Sequence, residues 1–433
     1  MERLALMPKY EDYVDSGVEW LGDLPSHWDA VKMKFLFKDT SMKNKPNETL
    51  LSVTQSQGVV PREWVENRMV MPSGNLESFK FIAKGDFAIS LRSFEGGLEY
   101  CHHDGIISPA YTVLKTKKDY LLAGYYKYLF KSQTFISELQ TSIVGIREGK
   151  NISYEELQYS LLPIPAEEEQ TRIANFLDKK TALIDEAISI KEKQISLLKE
   201  RKQIIIQQAV TQGLDPNVPM KDSGVDWIGK IPAHWDLVKL GSCLSPVSVK
   251  NSPELPLLSI TREQGVIERD VDDQESNHNF IPDDLRGYKK LEKGQFGMNK
   301  MKAWQGSYGV SKFTGIVSPA YFVFDLTKAI NPEFFNWAIR SKLYVSFFGS
   351  ASDGVRIGQW DLSKARMKVI PFVLPSEEEQ LLIAKHLDEK LEQVDVAIKI
   401  KLQQIERLRE YRSSLINSAV TGKIKITPEM VEQ

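Results

Sequence analysis

Cysteine is nearly absent from this chain, with two residues, Cys101 and Cys243, among 433. They fall at positions that do not correspond in the chain's internal repeat, so the sequence predicts reduced thiols rather than a disulfide framework. No apolar run approaches the roughly 18 residues that span a membrane. The first residues, MERLALMPKYEDY, make a poor secretory signal. We therefore expect a cytoplasmic protein without a membrane partner.

An excess of positive charge is also missing, because 56 Lys and Arg stand against 58 Asp and Glu, a formal net charge of −2. Such a chain has no global attraction for nucleic acid, so any nucleic-acid surface must be a local basic patch. The hydrophobic fraction of 42% and the charged fraction of 26% are ordinary for a folded protein. The length predicts two or three domains, each with its own core.

Catalytic motifs are missing as well. The chain has no Gly-rich cofactor loop after a strand, no GxxxxGK[ST] and no Asn/Asp-Pro-Pro-aromatic tetrapeptide of an amino-methyltransferase. Glu148-Gly149-Lys150 lacks the preceding Pro-Asp pair of a nuclease carboxylate set. Cys101-His102-His103-Asp104 places its ligands too close together to close one tetrahedron around zinc. The sequence therefore predicts no enzyme, no metal site and no cofactor in this chain.

What the chain does have is a duplication. DSGVEWLGDLPSHWDAVK begins at Asp15 and DSGVDWIGKIPAHWDLVK at Asp222, while GIISPAYTVL begins at Gly105 and GIVSPAYFVF at Gly315. A repeat of roughly 200 residues is a domain duplication, not a solenoid. Strand-like runs bounded by Gly and Pro alternate with helical runs, so each copy predicts an α+β block. We expect SPAY to be a buried strand start and the tryptophans of the opening motif to pack against the block.

Each block is followed by a long charged run without internal Gly or Pro, which predicts one long helix. The predicted domains are a first block at 1–165, a helix at 166–213, a second block at 214–375, a helix at 376–422 and a C-terminal tail at 423–433. Apolar residues recur at heptad spacing, interrupted by basic residues at matching places. The predicted coiled-coil seam is Leu177, Ile184, Ile188, Lys191, Ile195, Leu198 and Ile205, matched by Leu387, Val394, Ile398, Lys401, Ile405, Leu408 and Leu415.

The two helices are near copies, so we expect them to pair with each other as an antiparallel coiled coil. Pseudo-two-fold symmetry would then place one block at each end; the alternative is that each helix docks on its own block. About 46 helical residues span roughly 70 Å. Half-sites one turn apart on B-DNA are about 34 Å apart. The helices are thus long enough to hold two recognition blocks on one face of a duplex.

Polar, basic and aromatic residues in the parts that vary between the copies are the candidates for contacting DNA, since two modules with one framework can recognise different targets. Gln and Arg suit bidentate hydrogen bonds to A and G edges. The matched pair Arg147 and Arg356 suits phosphate contact, which carries no sequence information. A solvated surface position is the alternative for each candidate. The candidate DNA contacts are Gln55, Gln57, Arg92, Phe94, Tyr100, His102, His103, Arg147, Lys150, Arg262, Gln264, Lys300, Lys302, Trp304, Tyr308, Lys312, Arg356 and Gln359.

These doubled motifs resemble the specificity (S) subunits of type I restriction–modification systems over nearly the whole chain. The resemblance rests on the doubled DSGVxWxGxxPxHW opening motif and on the doubled PxEEEQxxIA helix start at Pro165 and Pro375. The doubled AVT helix end at Ala209 and Ala419 completes the set. A single fragment of this kind is weak evidence, but the set in this order, twice, is specific.

The resemblance implies two target-recognition domains that each read one half of a bipartite site on double-stranded DNA. It implies helices that act as a spacer and dock two methyltransferase (M) subunits. S-adenosylmethionine is then bound by the M subunits, while ATP and Mg belong to the restriction (R) subunits. The alternatives are the specificity subunit of a modification-only complex, a coiled-coil scaffold with two protein-binding modules, and a stand-alone methyltransferase, which the missing motifs disfavour.

Overall fold

The computed structural model describes residues 4, 6–65, 76–90, 93–144, 151–270, 281–327, 329–356 and 359–432. The chain forms two compact units: unit 1 consists of residues 1–191 and 402–433, and unit 2 of residues 192–401. Each long helix contributes to both units. The borders of the units therefore lie within the helices rather than at the helix ends that the sequence suggests as domain borders.

Unit 1 contains fourteen short strands among its described residues, and every strand pair is antiparallel. One sheet has four strands, in the order β4-β11-β8-β9, and the other pairs are β1-β2, β3-β14, β5-β6, β7-β10 and β12-β13. The strands are β1 (Tyr13–Asp15), β2 (Asp23–Pro25), β3 (Asp29–Lys32), β4 (Phe37–Thr40), β5 (Leu51–Thr54), β6 (Gly58–Pro61), β7 (Lys80–Ile82), β8 (Phe87–Ile89), β9 (Glu99–Tyr100), β10 (Gly105–Ile107), β11 (Thr112–Thr116), β12 (Ile143–Val144), β13 (Asn151–Ile152) and β14 (Leu161–Ile164).

The helices that begin in unit 1 are short, except for the last. They are α1 (Met33–Leu36), α2 (Ser93–Gly96), α3 (Ala123–Leu129), α4 (Gln133–Thr141), α5 (Tyr154–Leu157) and α6 (Glu167–Gln212). The last of these is the first of the two long helices, and it continues from unit 1 into unit 2.

Unit 2 repeats the strand order and strand pairing of unit 1. Its four-stranded sheet has the order β18-β25-β22-β23, and the pairs are β15-β16, β17-β28, β19-β20, β21-β24 and β26-β27, all antiparallel. The strands are β15 (Met220–Asp222), β16 (Lys230–Pro232), β17 (Asp236–Lys239), β18 (Leu244–Val247), β19 (Leu258–Thr261), β20 (Gly265–Glu268), β21 (Lys289–Leu291), β22 (Phe296–Met298), β23 (Tyr308–Val310), β24 (Gly315–Val317), β25 (Phe322–Leu326), β26 (Ser352–Arg356), β27 (Gln359–Leu362) and β28 (Pro371–Leu374).

The remaining helices are α7 (Pro332–Ile339), α8 (Lys342–Ser350), α9 (Lys364–Lys368), the second long helix α10 (Glu377–Val420) and α11 (Pro428–Glu432). The helices and strands alternate as expected for an α+β fold. The α+β prediction from the sequence is therefore confirmed.

Two apolar clusters hold each unit together. In unit 1 the larger cluster centres on the edge-to-face rings of Phe37, Phe87 and Phe130. A smaller cluster lies under β5, β7 and β10, where Leu51 and Ile82 are buried. Burial of each such side chain stabilises the fold by about 1.5–3 kcal/mol. Unit 2 has the same two clusters at the corresponding positions.

Both long helices begin with three glutamates, which the positive end of the helix dipole favours. Each is followed by a glycine with positive φ, Gly213 at 79° and Gly422 at 71°. A Cβ on Gly213 would lie 3.2 Å from the Trp235 ring, and one on Gly422 would lie 2.4 Å from the Pro25 ring. The helices therefore end where the chain needs both a left-handed residue and the absence of a side chain.

The long helices pair antiparallel within each unit, which confirms the predicted direction. In unit 1 the Asp185 carboxylate lies 3.3 Å from Arg412, and Lys191 further along α6 donates to Gln404, earlier along α10, at 2.9 Å. In unit 2 the corresponding ion pair joins Lys202 of α6 to Asp395 of α10 at 2.7 Å. All fourteen residues of the predicted seam are buried or half-buried.

The C-terminal residues are part of unit 1 rather than a loose tail. Ile424 and Ile426 are buried in the larger cluster of unit 1. The backbone amide of Lys425 donates to the carbonyl of Pro8 at 2.7 Å. The two ends of the chain are therefore packed side by side in unit 1.

Candidate nucleic-acid interface

Two matched hairpin turns display the first predicted DNA contacts. Gln55 and Gln57 are exposed in the turn between β5 and β6, residues 55–57. Arg262 and Gln264 are exposed in the turn between β19 and β20, residues 262–264. We call these the β5–β6 turn and the β19–β20 turn. The two turns differ at their first two positions, Gln55 and Ser56 against Arg262 and Glu263, and share the third, Gln57 and Gln264.

One framework holds both turns. The Thr54 hydroxyl donates to the carbonyl of Gly58 at 3.0 Å and accepts the amide of Gln57 at 3.1 Å. Thr261 makes the same two bonds in unit 2, at 3.3 and 3.1 Å. Gly58 has a φ of 74°, and a Cβ there would lie 2.5 Å from the carbonyl oxygen of Tyr100, so only glycine fits. Each turn is thus held in one shape whatever it displays.

A cation at the end of a helix supports each turn, and sequence reasoning missed it. In unit 1, Lys131 follows α3 and its ammonium donates to the carbonyls of Gln55 at 3.2 Å and Gly96 at 2.9 Å. The same ammonium lies 2.6 Å from the buried carboxylate of Glu99. Burial raises the pKa of Glu99 to about 7, although the charge of Lys131 acts to lower it.

In unit 2 an arginine takes the same role. Arg340 follows α7 and donates to the carbonyls of Arg262 at 3.1 Å, Glu263 at 2.9 Å and Tyr308 at 2.6 Å. The position equivalent to Glu99 is Gly309, since Glu99 pairs with Ala88 on β8 and Gly309 pairs with Gly297 on β22, so unit 2 has no carboxylate there. A signal was present in the sequence, because Lys131-Ser132 matches Arg340-Ser341 between the two helices of each block.

A cavity of about 770 Å³ opens beside the β19–β20 turn. Two predicted contacts, Arg262 and Lys302, line it together with a third cation, Arg269. Neutral donors and acceptors make up most of the remaining lining, including Ser259, Tyr288, Asn299, Gln305, Ser307, Ser318 and Tyr321. A basic, hydrogen-bonding concavity of this size suits a nucleic-acid strand better than an apolar ligand.

The predicted lysines of unit 2 lie in different surroundings. Lys302 is exposed at the cavity, whereas Lys300 forms an ion pair with Asp361 at 3.3 Å. Lys312 is exposed and lines a separate cavity of about 380 Å³ beside Trp337. The structure therefore brings one of the three, Lys302, next to Arg262.

Three predicted aromatic contacts belong to the core in whole or in part. Tyr308 is fully buried, with its ring 4.5 Å from that of Phe348 and 5.9 Å from that of Phe296. The expectation that Tyr308 touches DNA is corrected, because its side chain is enclosed by apolar rings. Phe94 and Tyr100 are half-buried against the larger cluster of unit 1.

The other ring-bearing candidates remain at the surface or half-buried. Trp304 stacks on Trp360 with ring centroids 5.2 Å apart. His102 is exposed, and the ring of His103 meets that of Trp64 edge-to-face at 4.9 Å. Burial of part of the ring lowers the pKa of His102, and neighbouring lysine charges lower it further.

The side chains of five predicted DNA contacts lie outside the part of the chain that the structure describes. Arg92, Arg147 and Lys150 lie outside the described residues. Arg356 and Gln359 lie on β26 and β27, but their side chains are outside the described part of the chain. Their roles stay predictions.

The opening motif and the EEEQ motif are explained by one contact between them. In unit 1 the buried carboxylate of Glu169 accepts hydrogen bonds from the indole of Trp28 at 2.9 Å and from the Tyr10 hydroxyl. The Nε2 of His27 lies 3.1 Å from the same carboxylate. The prediction that the tryptophans of this motif pack against the block is confirmed, with Trp28 buried and Trp20 against Phe135.

In unit 2, Glu379 makes the contact that Glu169 makes in unit 1, with one hydrogen-bond donor replaced by another. Glu379 accepts from the indole of Trp235 at 3.0 Å and lies 2.8 Å from His234. The hydroxyl of Ser376 replaces Tyr10 as the third donor, at 2.8 Å. Partial burial raises the pKa of Glu379, but the hydrogen bonds from Trp235, His234 and Ser376 outweigh it and leave the pKa below its usual value.

The last residue of EEEQ ties each long helix to its block. Gln170 is buried, accepts the amide of Leu122 at 2.9 Å and donates to the carbonyls of Tyr120 and Pro165. Gln380 makes the equivalent bonds in unit 2. The motif therefore fixes the start of each helix rather than a ligand.

SPAY is an exposed turn, not the buried strand start that the sequence suggested. Pro109 and Ala110 are exposed after β10, and Pro319 and Ala320 are exposed after β24. The strands before and after the motif are buried, but the motif itself bends between them. In unit 2 its tyrosine, Tyr321, lines the cavity.

Among the described residues, no group of three or more His, Cys, Asp or Glu side chains is arranged to hold a metal ion. Both cysteines are buried, and the Cys101 thiol donates to the carbonyl of His103 at 3.1 Å. Within the same described ranges, no helix is long and apolar enough to cross a lipid bilayer.

Fold and site together define a duplicated α+β protein, in which each unit joins one block to parts of two long helices. No family model matches the chain. It is 26% identical to the specificity subunit of the type I restriction enzyme MjaVIII of Methanocaldococcus jannaschii, over 74% of this chain and 75% of that protein. It is 25% identical to the MjaX specificity subunit of the same organism, over 72% of this chain and 71% of that protein.

Two solved structures share the fold. A chain from a structure of the complex assembly and conformational transition of the type I R-M system matches with a TM-score of 0.66 and 14% identity, covering 92% of this chain and 98% of that chain. The HsdS subunit of Thermoanaerobacter tengcongensis matches with a TM-score of 0.52 and 15% identity, covering 93% and 98%. The resemblance to the specificity subunits of type I restriction–modification systems is therefore confirmed, in sequence and in fold.

Proposed function

We propose that this chain is the DNA-binding specificity subunit of a type I restriction–modification complex, and that it reads a bipartite site. The observation that carries the proposal is the pair of matched turns. One rigid framework, repeated in both units, displays Gln55 in one and Arg262 in the other. Gln suits adenine edges and Arg suits guanine edges, so the two units would read different half-sites by one geometry.

The basic cavity of unit 2 supports the DNA assignment. Arg262, Arg269 and Lys302 converge there although the chain as a whole has a net charge of −2. Such a local patch supplies the phosphate attraction that the overall composition lacks. The cavity therefore marks the face of unit 2 that would meet the duplex.

The long helices would act as the spacer and as the docking surface for two methyltransferase subunits. Within each unit, large apolar side chains of α6 stay exposed at heptad spacing: Leu183 and Ile190 in unit 1, and Leu197 and Ile204 in unit 2. An apolar stripe on a helix that is already paired along its seam supports a further protein partner. The helix length would then set how far apart the half-sites lie.

The chain itself would do no chemistry. In the proposed complex, S-adenosylmethionine is bound by the methyltransferase subunits, and ATP and Mg by the restriction subunits. Its contribution is to place these partners on one DNA sequence, and its residues are arranged for hydrogen bonding and packing.

The test is reconstitution of the full chain with a candidate methyltransferase subunit from the same genome, followed by mapping of methylated adenines on genomic DNA. Methylation confined to one bipartite sequence, and dependent on this chain, is the expected result. Methylation without sequence preference would overturn the proposal. Adding a candidate restriction subunit from the same genome then separates the two complexes, because cleavage indicates a restriction complex and its absence indicates a modification-only complex.

A further inference from the structure

Two lysines face each other across adjacent backbone segments in each unit. In unit 2, Lys250 forms an isolated antiparallel bridge with Lys289, at the first residue of β21. In unit 1 the amide of Phe81 donates to the carbonyl of Met42 at 2.7 Å, as that of Lys290 donates to Val249 at 2.8 Å in unit 2. This matching register places Lys43 beside Lys80 in the same way.

Like charges opposite one another destabilise a sheet, so the pairs need a reason. The Lys80 ammonium donates to the backbone carbonyl of Tyr111, and the Lys289 ammonium donates to that of Tyr321, both at 2.6 Å. Burial lowers the pKa of both Lys80 and Lys289. The charge of Lys43 lowers the pKa of Lys80 further, although the charge of Asp39 acts to raise it. In unit 2, three other lysines lower that of Lys289: Lys364, Lys250 and Lys300. The surface around Lys289 therefore carries a local excess of positive charge.

The outer member of each pair is free to bind. Lys43 and Lys250 are exposed, and neither forms an ion pair or side-chain hydrogen bond within the described ranges. Each is followed by an asparagine with positive φ, Asn44 at 62° and Asn251 at 67°. The same uncommon backbone shape therefore presents both lysines.

The pairs are shared although the surrounding residues are not. Lys43-Asn44 matches Lys250-Asn251 and Lys80 matches Lys289, whereas the turns and the region after β8 or β22 differ between the units. Contacts to the DNA backbone carry no sequence information, so two modules that read different half-sites would share them. The lysine pairs are the same in both units while the neighbouring turn residues differ, which is the pattern expected of contacts to the DNA backbone.

The position of the pair in unit 2 fits a ligand that also meets the β19–β20 turn. Lys289 holds the carbonyl of Tyr321, and Tyr321 lines the same cavity as Arg262. Tyr288, the residue before Lys289, lines it too. The lysine pair thus borders the concavity into which Arg262 extends.

We infer that the facing pairs Lys43/Lys80 and Lys250/Lys289 each bind a backbone phosphate of duplex DNA, once in each unit and without regard to base sequence. The inference rests on the proposed function. The inner lysine orients the SPAY turn and contributes charge, and the outer lysine supplies unused donors. Together they anchor each block on its half-site while the turn reads the bases.

The experiment compares Lys43→Gln, Lys250→Gln and the double variant with the wild-type full chain in complex with its methyltransferase. The probe is a fluorescent 40-base-pair duplex of random sequence, titrated over a series of salt concentrations. Matched controls are Lys118→Gln in unit 1 and Lys342→Gln in unit 2, both exposed lysines outside the backbone segments that hold the pairs. Each test variant should reduce the slope of log K against log salt by about 0.9, and the double variant by about twice that.

Lys250→Arg should restore the slope, since it keeps the charge. Test variants that match their lysine controls in both affinity and slope would overturn the inference while leaving the proposed function intact. A test variant that alters the half-site enriched from a random library, at unchanged slope, would also overturn it, because that result indicates base reading. If the wild-type complex itself showed no sequence selectivity, the proposed function would be contradicted instead. Thermal melting of each variant excludes misfolding as the cause.

Discussion

Lys131 and Glu99 form an ion pair of 2.6 Å directly behind the β5–β6 turn, with the carboxylate almost completely buried. One carboxylate oxygen of Glu99 has no hydrogen-bond partner within the part of the chain that the structure describes. In unit 2 the equivalent positions hold Arg340 and Gly309, and the arginine binds the carbonyls of Arg262, Glu263 and Tyr308 instead of a carboxylate. The two turns are thus supported by different chemistry behind one backbone shape.

The stability of unit 1 should depend on pH through Glu99. Its folded-state pKa of about 7 lies above the ordinary value of 4.5, so the folded state binds this proton more tightly than the unfolded state does. The stabilisation from this group is complete below about pH 4.5 and is lost as pH rises to about 7. Glu99→Gln should remove that dependence. The check is urea denaturation of both proteins from pH 4.5 to 8; parallel curves would contradict the assignment.

Loss of the supporting cation should affect one half-site only. Lys131→Met releases the carbonyls of Gln55 and Gly96, so discrimination at the half-site read by unit 1 should fall by roughly tenfold, about 1.4 kcal/mol. Lys131→Arg should retain it, because the donor is kept. Arg340→Met is the matched variant for the other half-site. The measurement is methylome mapping with each variant, and equal loss at both half-sites would indicate a general structural defect instead.

The contact between the opening motif and EEEQ should be a main source of stability in each unit. Glu169→Ala leaves the indole of Trp28 and the hydroxyl of Tyr10 without their acceptor in a buried site, which costs about 1–3 kcal/mol. Glu168→Ala is the control, since that side chain is exposed one residue earlier. Glu379→Ala should cost less than Glu169→Ala, because Glu379 is about a third exposed. Chemical denaturation of the full chain measures all three.

The glycine after α10 should tolerate no side chain. Gly422→Ala combines a φ of 71° with a Cβ 2.4 Å from the Pro25 ring, whereas Gly224→Ala has a φ of 73° and nothing within 4 Å. The second variant therefore reports the backbone strain alone. Gly422→Ala should be the more destabilising, by roughly 1–3 kcal/mol for the added overpacking. Equal melting temperatures would show that the ring of Pro25 moves aside without cost.

The proposed spacer role makes a geometric prediction. Inserting one heptad between Ile188 and Ile205, and one between Ile398 and Leu415, lengthens both helices by about 10 Å and keeps the seam in register. The unread middle of the DNA site should then grow by about three base pairs. Methylome mapping reads the spacer directly. An unchanged spacer would mean that the helices do not set the distance between the half-sites.

The sequence was informative wherever one copy could be read against the other. The duplication, the α+β blocks, the two long helices and their seam are local or periodic features, so they are visible without any tertiary contact. Lys191 illustrates this: heptad spacing alone puts it in the seam, and the structure gives it Gln404 as a partner.

The roles of single side chains in the blocks were decided by tertiary structure. Tyr308 differs between the copies and carries a polar ring, which suggested a surface contact, yet three-dimensional packing encloses it. SPAY looked like a buried strand, yet it turns at the surface. Lys131 and Arg340 showed no local signal strong enough to single them out.

The physical reason is the range of the interactions. Periodicity and capping act over a few residues, so the sequence by itself determined that two similar α+β blocks alternate with two paired helices. The contact of Lys131 with Gln55 joins residues 76 positions apart, and that of Glu169 with Trp28 joins residues 141 apart. Which side chains are buried, which support the turns and which face the cavity are set by such distant contacts, and only the folded chain brings them together.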